Sequence, residues 1–162
     1  MTSFFDITST LPWPNAIGKR TAVGPLVGAA ESEAISELAR TTPLILVITA
    51  TTAAAHNLAS ELPFFLSDDR EILLVPDWET LPYDNFSPHE DIVSDRLKAL
   101  SRLPTLKSGV VIVSVTTLMH RLAPRHFIDA GVLSLKTGET LDAEQFVSCL
   151  LYTSDAADER HC

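Results

Sequence analysis

A glycine-containing turn is the first place where this sequence could bind a ligand. It runs Gly24-Pro-Leu-Val-Gly28 and continues with Ala29 and Ala30. A phosphate-binding loop needs four residues between its glycines, followed by Lys and then Ser or Thr. Here the spacing is one residue short, and two alanines stand where the lysine and the hydroxyl would be. Glu31 adds negative charge next to the expected phosphate position. We therefore predict a structural turn, a degenerate phosphate loop that binds no nucleotide.

The second candidate is the stretch from Asp77 to Asp91, which is rich in acids and aromatic residues. It follows an apolar run, and open α/β sheets place their sites beyond the carboxyl ends of their strands. Asp84, His89 and Asp91 could ligate a metal or transfer protons. However, His89 and Asp91 are only two residues apart in a predicted helix, so they do not share a face. The spacing also fits no zinc motif. We interpret the stretch as a rigid loop and assign no metal ligand and no catalytic residue.

The remaining histidines give weaker signals. A locally basic cluster lies around Pro124, where His120 and Arg121 precede the proline and Arg125 and His126 follow it. An acidic partner or a nucleic acid could contact it, but a solvated turn is the interpretation we favour. Nucleophile-elbow glycines bracket no Ser–His–Asp set, so we predict no nucleophile.

The segments that position these residues alternate between strand and helix patterns. Three short apolar runs predict strands at residues 43–49, 71–75 and 109–113. The first, rich in β-branched residues, is expected to be buried on both faces, and the third is also expected to be buried. Strands that alternate with helices indicate parallel β-α-β units with right-handed crossovers. The predicted fold class is α/β, with an open, mostly parallel sheet flanked by helices.

Apolar residues with helical spacing predict four helices before, between and after these strands. They lie at residues 31–40, after a cap at Thr51 or Thr52, after Ser87, and at residues 116–122. The helix after Ser87 has the strongest signals, because Ser87, Pro88 and Glu90 have the spacing of a capping box. Its apolar stripe, which we expect to be buried, comprises Ile92, Val93, Leu97, Leu100 and Leu103. Pro104 predicts where this helix ends.

Composition excludes several classes of protein. The chain has 162 residues, a hydrophobic fraction of 46% and a formal net charge of -9. A chain with that apolar content is not disordered, and one so acidic binds nucleic acid poorly by itself. There is no apolar run long enough to span a membrane and no secretory signal pattern, so we expect a cytoplasmic protein. Its two cysteines, Cys149 and Cys162, are too few for a disulfide scaffold.

The stretch after the second predicted strand identifies a family. Val75-Pro-Asp-Trp-Glu-Thr-Leu-Pro-Tyr-Asp-Asn-Phe-Ser-Pro-His-Glu-Asp91 closely resembles the N-terminal region of the bacterial transcription-repair coupling factors. Its signature residues are Asp77, Trp78, Glu79, Thr80, Leu81, Pro82, Tyr83, Asp84, Phe86, Ser87, Pro88 and His89. The resemblance covers about residues 21–147 and is specific in the signature.

The resemblance implies a role for the chain and for a longer parent. Full-length members are ATP-dependent DNA translocases that use ATP and Mg²⁺, displace stalled RNA polymerase from double-stranded DNA, and recruit excision repair through UvrA. Their N-terminal module is similar to the helicase UvrB but has lost the phosphate loop. The resemblance therefore implies a non-catalytic scaffold without a cofactor. The alternative is a small UvrB-like ATP-binding helicase domain.

The domain organisation follows from the same resemblance. We expect a lead-in at residues 1–20, a UvrB-like α/β domain at 21–126, and the truncated start of a small α+β UvrA-binding domain at 127–148. From Cys149 onward the chain departs from the family pattern. It reads Cys-Leu-Leu-Tyr-Thr-Ser-Asp-Ala-Ala-Asp-Glu, which resembles the translation of a transposase-based sequencing adapter. We therefore expect residues 149–162 to be adapter read-through, which belongs to no fold.

Overall fold

The structure is a computed structural model that describes residues 13, 17–67, 69–80, 87–131, 137–138, 140, 142–144 and 147. Within these ranges the strands are β1 (Leu44–Thr49), β2 (Glu71–Val75) and β3 (Gly109–Ser114). The helices are α1 (Ala30–Thr41), α2 (Thr52–Phe65), α3 (Glu90–Arg102), α4 (Val115–Met119) and α5 (Arg125–Gly131), with a 3-10 turn at Leu103–Thr105. The predicted metal candidate Asp84 and the expected read-through at 149–162 lie outside the described residues.

The three described strands form a parallel sheet in the order β1-β3-β2. The central strand β3 pairs with both neighbours, so that Leu44 and Glu71 both lie beside Gly109. Helices connect the strands, as parallel pairing requires. The predicted α/β class, with a parallel sheet flanked by helices, is confirmed.

Helices cover the two faces of the sheet unequally. On one face Ala55, Leu58 and Leu62 of α2 pack with Val110 and Ile112 of β3. Thr51 is the cap of α2, because its side chain accepts a hydrogen bond from the Ala54 N–H at 3.1 Å. The predicted cap at Thr51 or Thr52 is therefore confirmed at Thr51.

On the opposite face α3 packs over β2 and β3 only. Ala99 of α3 forms one buried cluster with Val75, Val111, Val113 and Leu106. This cluster does not include a side chain of β1.

The prediction that the strand at residues 43–49 is buried on both faces is wrong, because only one face of β1 is buried. Its side chains at Leu44, Leu46 and Ile48 are 44%, 56% and 52% exposed, whereas all six residues of β3 are buried. The reason is position in the sheet: among the described strands β1 lies at an edge, and the buried cluster under α3 contains side chains of β2 and β3 but none of β1. An apolar run predicts a strand but not which neighbours cover it.

The predicted start and buried stripe of α3 also need correction. The cap is His89, whose Nδ1 accepts a hydrogen bond from the Asp91 N–H at 3.3 Å, and Ser87 lies exposed outside the helix. Within the predicted stripe, Leu97 and Leu103 are exposed. The fully buried α3 residues are instead Arg96 and Ala99. The helix is thus rotated so that a charged side chain faces the sheet.

The segment after β3 is broken into two short helices. The helix predicted to reach residue 122 ends at Met119, and α5 then begins next to Pro124, whose carbonyl accepts the Phe127 N–H at 3.0 Å.

The chain divides into two compact units, Met1–Asp129 and Ala130–Cys162. The first unit contains the sheet; in the second, Thr137 and Gly138 form the predicted turn, with Gly138 at φ +93°. None of the described helices has the length and apolarity needed to cross a bilayer.

Candidate functional site

The candidate site lies where β2 and β3 end side by side. Val75, the last residue of β2, is paired with Val113, and the chain continues from β2 into Pro76 and Asp77. On the neighbouring strand, Ser114 ends β3 and caps α4 by accepting the Thr117 N–H at 3.2 Å. Because the strands are parallel, both carboxyl ends meet at one edge of the sheet.

Asp77 is held at this edge by hydroxyl groups. Its Oδ2 accepts hydrogen bonds from Thr116 Oγ1 at 2.7 Å and Thr117 Oγ1 at 2.9 Å, and a longer one from Ser114 Oγ at 3.4 Å. Its Oδ1 lies 3.4 Å from the backbone nitrogen of Glu79. We call Asp77, Ser114, Thr116 and Thr117 the hydroxyl–carboxylate cluster. It joins the end of β2 to the start of α4.

The pKa of Asp77 shows that these contacts favour its ionised form. Burial alone raises the pKa, because it removes the carboxylate from water. The hydrogen bonds from Thr116, Thr117 and the Glu79 N–H, together with the nearby His120, lower it by more. The net result is a pKa below the ordinary value of an aspartate.

A buried arginine lies behind this cluster. Arg96 is 1% exposed, and its Nη1 donates a hydrogen bond to the carbonyl oxygen of Pro76 at 2.6 Å. Its Cζ lies 4.8 Å from the ring centroid of Trp78, which is a cation–π contact. Burial lowers the pKa of Arg96, and the charge of Asp77 acts against that shift. Arg96 thereby holds the first residues after β2 against α3.

Two buried nitrogens at this edge lack a hydrogen-bond partner within the described part of the chain. They are Arg96 Nη2 and His120 Nδ1. Each atom is closed to solvent in this conformation.

The chemistry available to the hydroxyl–carboxylate cluster is structural. The hydroxyls of Thr116 and Thr117 donate to the Asp77 carboxylate, and the lowered pKa of that carboxylate makes it a weak base for activating either hydroxyl as a nucleophile. No group of three or more His, Cys, Asp or Glu side chains among the described residues could hold a metal ion. The cluster fixes two strand ends and a helix start relative to each other.

The structure brings only part of the family signature together. Asp77 and Trp78 take part in the contacts above, and Glu79 is exposed with φ +57°. His89 caps α3, while Ser87 lies exposed before it. Leu81, Pro82, Tyr83, Asp84 and Phe86 lie outside the described residues.

The degenerate phosphate loop forms a turn as expected, with Gly28 at φ +63°. It leads directly into α1, whose N-cap Ala29 has no side chain that could cap the helix. Glu31 and Glu33 occupy the first turn of α1. The residues therefore do not fit a triphosphate with Mg²⁺: the lysine and hydroxyl are missing, and two carboxylates lie in the turn where the phosphates would bind.

Sequence reasoning missed Arg96 and the three hydroxyl residues. Arg96 follows Ile92 by four residues and Val93 by three, so it lies on their side of the helix. A charged residue on an apolar stripe was therefore visible as a signal. The sequence signal for the hydroxyl residues was weaker: it is the run Ser114-Val-Thr-Thr at the end of a predicted buried strand.

Known proteins give an independent comparison. The chain is 38% identical over 149 residues to the transcription-repair-coupling factor of Escherichia coli strain K12, a match of 91% of this chain and 12% of that protein. It is 41% identical over 120 residues to the protein of the same name from Haemophilus influenzae, covering 74% of this chain and 10% of the relative. It is 43% identical over 99 residues to that of Mycobacterium bovis, covering 56% and 8%. No protein-family model matches the chain. The chain spans about a tenth of the length of these curated relatives.

Proposed function

The chain belongs to the family of transcription-repair coupling factors, and on that premise we propose that it is the N-terminal, non-catalytic module of such a protein. The observation that carries the proposal is the 38% identity across 91% of the chain. Over so long a match, the relative and this chain share a fold.

For the parent protein we propose the activity that the family resemblance implies. The parent would be an ATP-dependent DNA translocase that displaces stalled RNA polymerase and recruits nucleotide excision repair in the cytoplasm. ATP, Mg²⁺, double-stranded DNA and RNA polymerase would bind its other domains. UvrA would bind through the small domain that we expect to begin at residue 127.

The turn before α1 supports the non-catalytic part of the proposal. A phosphate loop binds through a lysine, a hydroxyl and free N–H groups at a helix N-terminus. Ala29 and Ala30 supply neither side chain, and Glu31 and Glu33 make the first turn acidic. The module would therefore act by packing and by positioning its neighbour.

Packing against the rest of the parent is the second part of the proposal. The exposed side chains of Leu44, Leu46 and Ile48 form an apolar row along β1. Such a row is typical of a surface that is covered in the assembled protein.

Nucleotide titration tests the non-catalytic role. Calorimetry of the 162-residue chain with ATP and Mg²⁺ should detect no saturable binding up to millimolar ATP, because the phosphate-binding groups are missing. A Gly28→Val variant should behave in the same way. Micromolar binding by the unmodified chain would overturn the proposal. If Gly28→Val abolished that binding, the alternative UvrB-like ATP-binding domain would be correct.

A further inference from the structure

The segment that runs from the end of α4 to the start of α5 is exposed but fixed at both ends. Thr117 and Ile128 are 3% and 7% exposed and anchor it in the core. Between them His120 is partly buried, and every other residue of 118–127 is exposed. The His120 N–H donates to Thr117 O at 3.2 Å, and the Ile128 N–H donates to Pro124 O at 3.3 Å. We call residues 118–127 the 118–127 surface.

Large apolar side chains form part of this surface. Those that are half exposed or more are Leu118, Met119, Leu122 and Phe127. A single exposed apolar residue is ordinary on any protein. Several of them on one short, anchored segment are typical of a surface that binds a partner.

The charge of the 118–127 surface is opposite to that of the chain as a whole. The chain has a net charge of -9, whereas residues 96–128 contain no Asp and no Glu. His120 lies near Asp77 and acts on the carboxylate there. The exposed basic residues of the surface are Arg121, Arg125 and His126. Apolar side chains interleaved with cations complement an amphipathic helix that carries carboxylates beside its apolar stripe.

We propose that the 118–127 surface binds an acidic amphipathic helix of a separate partner protein. The apolar stripe of that helix would cover Leu118, Met119 and Leu122, and its carboxylates would pair with Arg121. A short acidic helix is favoured over a nucleic acid or an anionic membrane, because an extended polyanion would also meet the acidic remainder of the chain.

The interleaved charges also favour a partner that binds reversibly. Cations keep the 118–127 surface hydrated while it is uncovered, and interfaces that form and dissociate are more polar than permanent ones. The apolar row of β1 has no charged residue, which suits the permanent packing proposed above. The inference therefore concerns a second surface and does not rest on the proposed function.

Fluorescence anisotropy of a labelled synthetic peptide tests this proposal on the 162-residue chain. The probe has Leu at helical spacing and Glu on its other faces, and a scrambled peptide of the same composition is its control. We expect saturable binding of the probe, and binding of the scrambled peptide at least about tenfold weaker. Added salt should weaken binding of the probe, because the paired charges lie at the surface.

Variants of the chain locate the binding site. Arg121→Glu should weaken binding at least about tenfold, because repulsion replaces attraction. Arg40→Glu makes the same change of charge on α1 and should alter binding by less than about twofold. Met119→Glu and Phe64→Glu are the corresponding apolar pair, of which only the first should weaken binding, since Phe64 lies on α2. Circular dichroism checks that all four variants fold.

Three results would overturn the proposal. The first is no saturable binding of the probe up to millimolar peptide. The second is an equal loss of binding in Arg121→Glu and Arg40→Glu. The third is tighter binding of labelled single-stranded DNA or anionic vesicles than of the probe, which would assign the surface to a nucleic acid or a membrane. None of these results bears on the nucleotide titration, so failure of this inference and failure of the proposed function are distinguishable.

Discussion

Asp77 connects two elements that are far apart in sequence. Its carboxylate accepts hydrogen bonds from Thr116 and Thr117, about forty positions away along the chain. Bonds of this kind to an ionised group contribute more than neutral ones. The signature aspartate thereby anchors the sheet edge.

The lowered pKa of Asp77 predicts a pH-dependent stability. Because its folded-state pKa lies below its unfolded value of about 3.9, the contribution is complete above that value and is lost as pH falls through the folded pKa. Asp77→Asn should cost about 1–2 kcal/mol in the free energy of unfolding at pH 7, and the difference should shrink below about pH 4.

Urea denaturation at several pH values measures this effect. Asp95→Asn removes an exposed carboxylate of α3 and is the control, with an expected change within about 0.5 kcal/mol. An Asp77→Asn deficit that stayed constant down to about pH 2 would contradict the anchoring role.

Arg96 shows why a buried charge is tolerated here. Its Nη1 donates a hydrogen bond to the carbonyl oxygen of Pro76, and its guanidinium lies over the Trp78 ring. These contacts offset much of the free-energy cost of removing the charge from water. A lysine could not supply the same planar contact. Arg96 and Trp78 therefore act together in fixing the segment that follows β2.

At the scale of the element, the start of α3 gives a test between two caps. The structure assigns the cap to His89, so His89→Ala should cost about 0.5–1 kcal/mol and Ser87→Ala close to nothing. His89→Asp should be neutral or stabilising, since aspartate is a better cap. Thermal unfolding of the three variants measures these differences in stability. A larger loss of stability for Ser87→Ala than for His89→Ala would contradict the His89 cap and support the predicted capping box.

The start of β3 depends on a glycine. Gly109 has φ +142°, and a Cβ there would lie 2.2 Å from the carbonyl oxygen of Glu71 on the adjacent strand. Gly109→Ala should therefore destabilise the fold by about 2–3 kcal/mol, through strain and a shifted β2–β3 pairing. Gly24→Ala is the control, because a Cβ added at Gly24 would have no neighbour within 4 Å among the described residues. Equal unfolding midpoints for the two variants would contradict the close approach.

At the scale of the whole molecule, charge and apolar surface act in opposite directions. The net charge of -9 makes two copies of the chain repel each other, whereas the exposed apolar side chains of Leu44, Leu46 and Ile48 favour contact between them. Salt screens the repulsion but leaves apolar contact nearly unaffected. Self-association of the isolated chain should therefore increase with ionic strength, and sedimentation velocity with and without added salt measures it.

The sequence by itself determined the elements and the family. Alternation of apolar runs and helical spacing predicted β2 to the residue, a cap at Thr51 or Thr52 and the parallel α/β class, because these depend on neighbours within a few positions. The signature after β2 identified the family for the same reason. The degenerate phosphate loop was also readable, since its chemistry depends on residue type and spacing.

Tertiary structure alone decided which surfaces are covered and which polar groups meet. The exposure of Leu46, the burial of Arg96 and the contact of Asp77 with Thr117 all depend on segments brought together by the sheet. Periodicity reports a pattern along one chain segment, whereas burial is set by whatever packs against it. For that reason β1 looked like an interior strand in sequence and lies at the edge in the fold.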